Sequence, residues 1–386
     1  MTVSFHDLSF VPEGDDEVVV GRLDTGSYAV LPADGAALLR RLTEGHSPDD
    51  AADWYEAEFG EGVDVEDFLD GMRELGFIRA DDEVVTAAPV RFRRLGQAVF
   101  SPWAWLLYAA VVVTWLVVGS DHDDVVPDPG QFFFTGSTLV VQLVITFGQL
   151  PLVFLHEGFH TLAGRRLGLP SRLGVGNRYM YIVFETRMNG LLSVPAARRY
   201  LPFLSGMMID VVALACLGLL AHVTRGPDGA LSWFGGVCVA LGFTVVMRLV
   251  WQFQFYLRTD LYYVFSTALR CHDLHEASVA LLRNRWWRLV GRPDRVVDEG
   301  RWTDHDRRAG RWYGPFLVLG VGVMLGLAVF GSLPVVLRYG EIVVGHLSGG
   351  RFDLYFWDAL VSLVINIGQL LLVAHLSRRK RKGIRS

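Results

Sequence analysis

His156-Glu157-Gly158-Phe159-His160 lies within Leu150 to Gly164, a stretch otherwise apolar enough to be buried in a membrane. Ionisable groups are costly at membrane depth, so three together point to a site rather than to a chance pattern. Residues four apart share a helix face, so the two imidazoles can hold one Zn2+. Glu157, one position on, is then within reach of an activated water. The bare HExxH pattern occurs by chance in soluble helices, and its apolar setting gives it weight here.

Composition places this helix in a membrane protein. Of the 386 residues, 51% are apolar, and the mean hydropathy is positive. The net charge of −5 hides an asymmetry. About 22 acidic and 5 basic side chains fall in residues 1–90, leaving about 19 and 31 for the rest. The two parts are therefore physically different, and residues 1–90 and 91–386 are expected as separate domains. Cys216, Cys238 and Cys271 have no paired spacing, which excludes a disulfide framework and a thiolate zinc site. Met1 to Phe10 carries no basic patch followed by an apolar run, so a cytoplasmic first domain is expected. Lysine occurs only at Lys380 and Lys382 against abundant arginine, a bias associated with GC-rich bacterial genomes.

Six apolar stretches are long enough to span a bilayer: 100–118, 132–167 (with Pro151 a candidate kink), 200–222, 231–255 running on towards Tyr263, 313–337 and 354–376. Under six spans the arginines at 91–94, 165–172, 198–199, 283–311 and 378–385 all fall on one side. This predicts a multi-pass protein of the bacterial cytoplasmic membrane with both termini cytoplasmic. Leu173 to Val194 is too polar to cross, and Tyr179 to Phe184 is rich in strand formers. A hairpin over 179–187 that dips beside the site is expected. Non-helical backbone at membrane depth is tolerated only where protein or water covers it, so the hairpin would line the site and offer an edge to an extended substrate.

Residues 1–90 read as a small α+β domain. Val18 to Leu23 and Ser27 to Leu31 alternate as strands around the turn Asp24-Thr25-Gly26, and helices are expected over 36–42 (capped by Asp34), 48–59 (capped by Ser47) and 65–75. Two strands and three helices give a winged-helix shape. The acid excess would repel phosphates, which argues against nucleic acid and for a peptide or protein partner. The fold class is thus mainly α: a polytopic helical membrane protein of about six spans with a small winged-helix-like cytoplasmic domain at its N-terminus.

Two aspartates compete to complete the metal site, since a hydrolytic zinc centre uses three protein ligands and one open position. Asp210 sits midway along the third span, and Asp260 lies where the fourth approaches the cytoplasmic side. Depth does not separate them. Elsewhere, Cys271-His272-Asp273-Leu274-His275 reads as a solvated cluster where the chain leaves the membrane. Trp286-Trp287 among arginines reads as an interfacial helix on anionic lipid. Arg248, inside the fourth span, reads either as a substrate contact or as a structural ion pair with Asp210, since buried charges need partners. Glu185 and Arg187 read as polar loop residues.

In the order HEGFH, Phe203-Leu204-Ser205-Gly206-Met207-Met208-Ile209-Asp210 and Leu257-Arg258-Thr259-Asp260-Leu261-Tyr262-Tyr263, residues 130–275 resemble the site-2 proteases, which are intramembrane zinc metalloproteases. The resemblance implies that Asp260 is the third ligand, in an LDG-type or FDGY-type motif with Leu261 in place of glycine. It also aligns Asp210 with a GPxxN-type asparagine involved in placing substrate, although Met207 and Asp210 replace the proline and asparagine. The implied chemistry is peptide hydrolysis, with Glu157 moving the proton. Residues 1–90 resemble PqqD-like domains through Leu23-Asp24-Thr25-Gly26-Ser27-Tyr28, Gly35-Ala36-Ala37-Leu38-Leu39, Gly45, Phe68-Leu69 and Leu75-Gly76-Phe77-Ile78. That resemblance implies a leader peptide bound as an added strand and a ribosomally made peptide as substrate. Two other readings start from the same residues. One is a non-proteolytic protein for peptide binding, export or immunity with a structural metal, and the other is a sensor whose first domain gates proteolysis of a signalling protein.

Overall fold

A computed structural model describes residues 3–13, 16–22, 25, 27–79, 90–178, 181–188, 190–271, 274–349 and 352–383, the side chains of 175–178, 181–185, 187, 370 and 372–383 excepted. The N-terminal part is an antiparallel meander, β1 (Leu8–Glu13), β2 (Glu17–Arg22) and β3 (Tyr28–Pro32), followed by α1 (Ala33–Thr43), α2 (Pro48–Phe59) and α3 (Val65–Glu74). The sheet has three strands where the sequence predicted two. β1 carries Leu8, Phe10 and Val11 but ends in Pro12-Glu13, which interrupts its alternation. Val20, Ala36, Leu39, Met72 and Phe77 form a buried core against the sheet, and Leu38, Leu42, Tyr55 and Leu69 form a second beside it. A bridge between Phe5 and Ile78 joins the ends of the domain.

Ser47 caps α2 as expected, accepting from the Asp50 amide. Asp34 does not cap α1. The helix starts one residue after Pro32, which places Asp34 inside the first turn, where it accepts from the Gly35 amide and the Tyr55 hydroxyl. Of the expected turn Asp24 to Gly26, Asp24 and Gly26 lie outside the described residues.

The remainder is helical: α4 (Arg93–Val99), α5 (Pro102–Asp121), α6 (Thr138–Arg166), α7 (Ala196–Val223), α8 (Trp233–Trp251), α9 (Asp260–Ala268), α10 (Leu274–Leu289), α11 (Asp304–Gly326), α12 (Leu333–Ser348) and α13 (Leu354–Gly383), with the hairpin β4 (Ser171–Arg178) and β5 (Tyr181–Met188) between α6 and α7. Among the described residues, five helical runs are long and apolar enough to cross a membrane: α5, α6, α7, α8 and the continuous run Asp304–Ser348. The apolar part of α13, Leu354–Gln369, is shorter and stands where the sixth span was expected. The fifth run exceeds its predicted bounds because α11 and α12 are joined by a π-helical turn, Leu327–Ser332. Pro334 follows that turn; it lacks an amide and clashes with the carbonyl four residues back, and the wider turn absorbs both faults without stopping the helix.

α7 is the central helix. Of its apolar window 56% is buried, against 6% for α5. At the end of the bundle opposite the N-terminal domain, Asp124 pairs with Arg225, joining the loop after α5 to the loop after α7. Asp358 of α13 caps α6, accepting from the amides of Thr138 at 2.8 Å and Leu139 at 3.3 Å. At the other end, Arg199 in the first turn of α7 is buried and makes a bidentate pair with Glu13 of β1, at 3.0 and 2.8 Å, while donating to the carbonyls of Val194 and Leu192. This pair ties the N-terminal domain to the helix that backs the site.

The fourth span does not run on to Tyr263. α8 stops at Trp251, and residues 252–259 form an irregular connection with Arg258 in the left-handed region at φ 53°. Gln252 organises it: its carbonyl accepts from the Thr259 hydroxyl at 2.6 Å, and its Oε1 accepts from the Asp260 amide at 3.1 Å. Protein groups thus satisfy the backbone where the helical hydrogen bonds stop. The turn brings Asp260, the first residue of α9, back to the bundle interior.

Candidate metal centre

α6 presents His156, Glu157 and His160 to the interior, all three buried. α6 and α7 run antiparallel in contact, so residues four apart on each meet in reverse order. Pro202, Gly206 and Asp210, one stripe of α7, face His160 and His156. His160 Nδ1 donates to the Pro202 carbonyl at 2.7 Å, and His156 Nδ1 donates to Asp210 Oδ2 at 2.8 Å. Both acceptors are acceptor-only groups, so both histidines carry a proton on Nδ1, and in the neutral imidazole a bare Nε2 turns inward. The two Nε2 atoms lie 3.1 Å apart.

Gly206 makes that meeting possible. A Cβ built there would stand 2.3 Å from His160 Nε2 and 2.6 Å from His156 Nε2. Asp260 closes the third side, with Oδ2 at 3.3 Å from His160 Nε2 and 3.5 Å from His156 Nε2. Among the described residues this trio is the one group of three ligand-type side chains close enough to hold a metal ion. The donor set fits the purpose. Four ligands about 2.0–2.1 Å from a tetrahedral Zn2+ stand roughly 3.3 Å from one another, and two nitrogens with a carboxylate are a common hydrolytic set.

Asp210 stands behind His156 rather than among these three. It is 1% exposed, and Arg248 of α8 grips it through Nε at 2.9 Å and Nη2 at 2.5 Å. The ion pair anticipated between Arg248 and Asp210 is therefore present, with His156 as a further partner that the sequence did not disclose.

Glu157 meets the hairpin. The Thr186 hydroxyl of β5 lies 2.9 Å from Glu157 Oε2 and 2.8 Å from its carbonyl oxygen, and Thr161 Oγ1 is 3.2 Å from the same hydroxyl. A hairpin stands beside the site, but it is longer than the 179–187 expected: β4 and β5 pair from Ser171↔Met188 to Arg178↔Tyr181, so β4 lies wholly outside that stretch. Residues 179–180, and the side chains of Glu185 and Arg187, lie outside the described residues. Thr186 was missed because threonine in a strand carries no signal of its own. Gly206 and Pro202 were missed as stripe members because their part depends on which face of α7 meets α6.

The remaining candidates stand apart. Of the cluster at 271–275, His272 and Asp273 lie outside the described residues, Cys271 Sγ contacts Asp306 at 3.1 Å, and the His275 ring packs edge-on against Tyr262. Trp286 is exposed on α10, while Trp287 is covered by the Arg295 guanidinium. Compared with family models, curated proteins and solved structures, the chain matches none of them.

Proposed function

We propose that the protein is a membrane-embedded zinc endopeptidase of the site-2 protease type, seated in a bacterial cytoplasmic membrane with both termini cytoplasmic. The observation that carries this reading is the meeting of three acceptors. With both Nδ1 protons committed to Pro202 and Asp210, two imidazole lone pairs and a carboxylate oxygen face one another within 3.5 Å. That arrangement is repulsive unless a cation sits among them. His156, His160 and Asp260 would hold Zn2+, which supplies a Lewis acid that polarises a peptide carbonyl and makes water a competent nucleophile near neutral pH.

The chain's own part falls to Glu157. One residue on from His156, it reaches the same space, takes a proton from the attacking water and delivers it to the leaving amine. Thr186 holds that carboxylate from the side of the hairpin, so the rotamer of the base is selected before substrate arrives. An extended peptide entering beside the hairpin edge would present its carbonyl next to this pair. The N-terminal domain, acidic and tied to α7 through Glu13 and Arg199, suits recognition of a leader peptide. A ribosomally made peptide is the substrate class that this pairing favours.

Glu157→Gln tests the mechanism. It keeps the side-chain shape, so bound zinc should stay near one per chain while hydrolysis of a fluorogenic peptide library falls by a factor on the order of 10²–10⁴. Undiminished cleavage by the variant would remove Glu157 from the chemistry. A wild-type protein that holds zinc, binds peptide and cleaves nothing would instead favour the non-proteolytic reading.

A further inference from the structure

The Arg248–Asp210 pair has more geometry than charge neutralisation requires. We infer that Asp210, held by Arg248, is a positioning residue that sets the tautomer and ring orientation of His156 for metal binding. The inference rests on the metal-centre reading above and adds to it the device that keeps one ligand ready.

Three features point the same way. Arg248 engages both oxygens of the carboxylate, Oδ2 through Nε at 2.9 Å and Oδ1 through Nη2 at 2.5 Å, and a two-point grip fixes the plane of the carboxylate as well as its place. Oδ2 in turn receives His156 Nδ1–H at 2.8 Å, which leaves Nε2 as the bare nitrogen and points it at Asp260 and His160. Asp210 is sealed from solvent at 1% exposure, so no water competes for that hydrogen bond. The chain thus runs from α8 through α7 to α6 and aligns a ligand on the third helix by two contacts. His160 is oriented differently, by the Pro202 carbonyl, a backbone group that needs no counter-charge. An ion pair present only to neutralise Arg248 would not require the histidine to share its oxygen.

Metal affinity measured on the purified full-length protein separates the possibilities. Asp210→Asn keeps the size of the side chain but weakens the grip of Arg248. D210L combined with R248M removes both charges, so the double variant leaves no buried charge without its partner. Each should bind zinc 10- to 100-fold more weakly than wild type in competition with a chelator, the range for loss of an outer hydrogen bond to a ligand histidine. The visible spectrum of the Co2+-loaded protein should also change in band position or intensity, which a purely structural role would not produce. The melting temperature of each metal-free variant checks that the fold survives. Wild-type affinity together with a wild-type cobalt spectrum in either variant would overturn the positioning role and leave the metal centre standing. A wild-type protein with no affinity for Zn2+ or Co2+ would overturn both.

Discussion

The N-terminal domain and the helical bundle bury opposite things. In the first, Leu38, Leu39, Val20 and Phe77 are completely enclosed, and the acidic residues of the first helical turns lie outside. In the second, Trp103, Leu106, Phe147 and Phe330 are all more than 60% exposed, while His156, His160, Ser205 and Asp210 are sealed. One hides its apolar side chains, and the other exposes them along helices long and apolar enough to cross a membrane. Burial therefore carries a different message in each: in the domain it marks packing, and in the bundle a buried polar side chain marks a site or a tie between helices. Among the described residues, Arg199 is the largest fully buried side chain, and it sits where the domain meets the bundle.

The sharpest way to break that contrast is to disturb the polar interior. Asp260→Ala removes a ligand, and Gly206→Ala drives a methyl group into the space between the two Nε2 atoms. Both should lower zinc affinity by more than about 100-fold, beyond the effect of an outer-shell change, as read by metal content after gel filtration. Retention of one zinc per chain by Gly206→Ala would show that the two histidines do not act together.

Next in size is the tie between the two regions. Glu13→Ala leaves Arg199 buried without its carboxylate and should cost about 3–5 kcal/mol in unfolding by denaturant. Glu13→Leu together with Arg199→Met should recover most of that loss, because an apolar pair of similar volume needs no charge partner. A loss below about 0.5 kcal/mol, the level of an ordinary surface change, would show that the domain is not held through this pair.

Thr186→Val probes the hairpin contact. It should slow peptide cleavage roughly tenfold, equivalent to about 1.4 kcal/mol, the upper part of the range for an ordinary hydrogen bond, and leave zinc content unchanged. A parallel loss of zinc would assign the hairpin to the metal rather than to Glu157.

The smallest effect lies in the N-terminal domain. The Tyr55 hydroxyl beside Asp34 holds that carboxyl below its ordinary range, and Asp34 pushes the Tyr55 hydroxyl up to about 12. A depressed carboxyl pKa gives stability that is present above the unfolded value and lost as pH falls through the folded one. The raised phenol pKa gives stability that is present below 10 and lost as pH rises towards about 12. Tyr55→Phe should therefore lower stability by about 1 kcal/mol near neutrality and flatten both limbs of a melting-temperature profile against pH. Unchanged limbs would remove this pair from the acid and alkaline response of the domain.

Much of this was legible in the sequence, for reasons that differ between the two regions. Hydropathy located the long apolar helices, five of them long enough to cross a membrane among the described residues, and it failed at the edges where proline and glutamine override it. Pro334 widens a helix rather than ending it, and Gln252 caps an interruption that composition hides. In the N-terminal domain, β1 escaped because Pro12 and Glu13 interrupt its alternation, and Glu13 is the residue that leaves the domain to meet Arg199.

The sequence alone determined the apolar or acidic character of each region and the helical spacing that puts His156, Glu157 and His160 on one surface, because both are local properties of the chain. Only the tertiary structure separated the two aspartates. Asp260 comes to the Nε2 side through an irregular turn after α8, and Asp210 comes to the Nδ1 side through the stripe of α7. Which nitrogen each carboxylate meets depends on how three helices pack, and no spacing along a single helix encodes that.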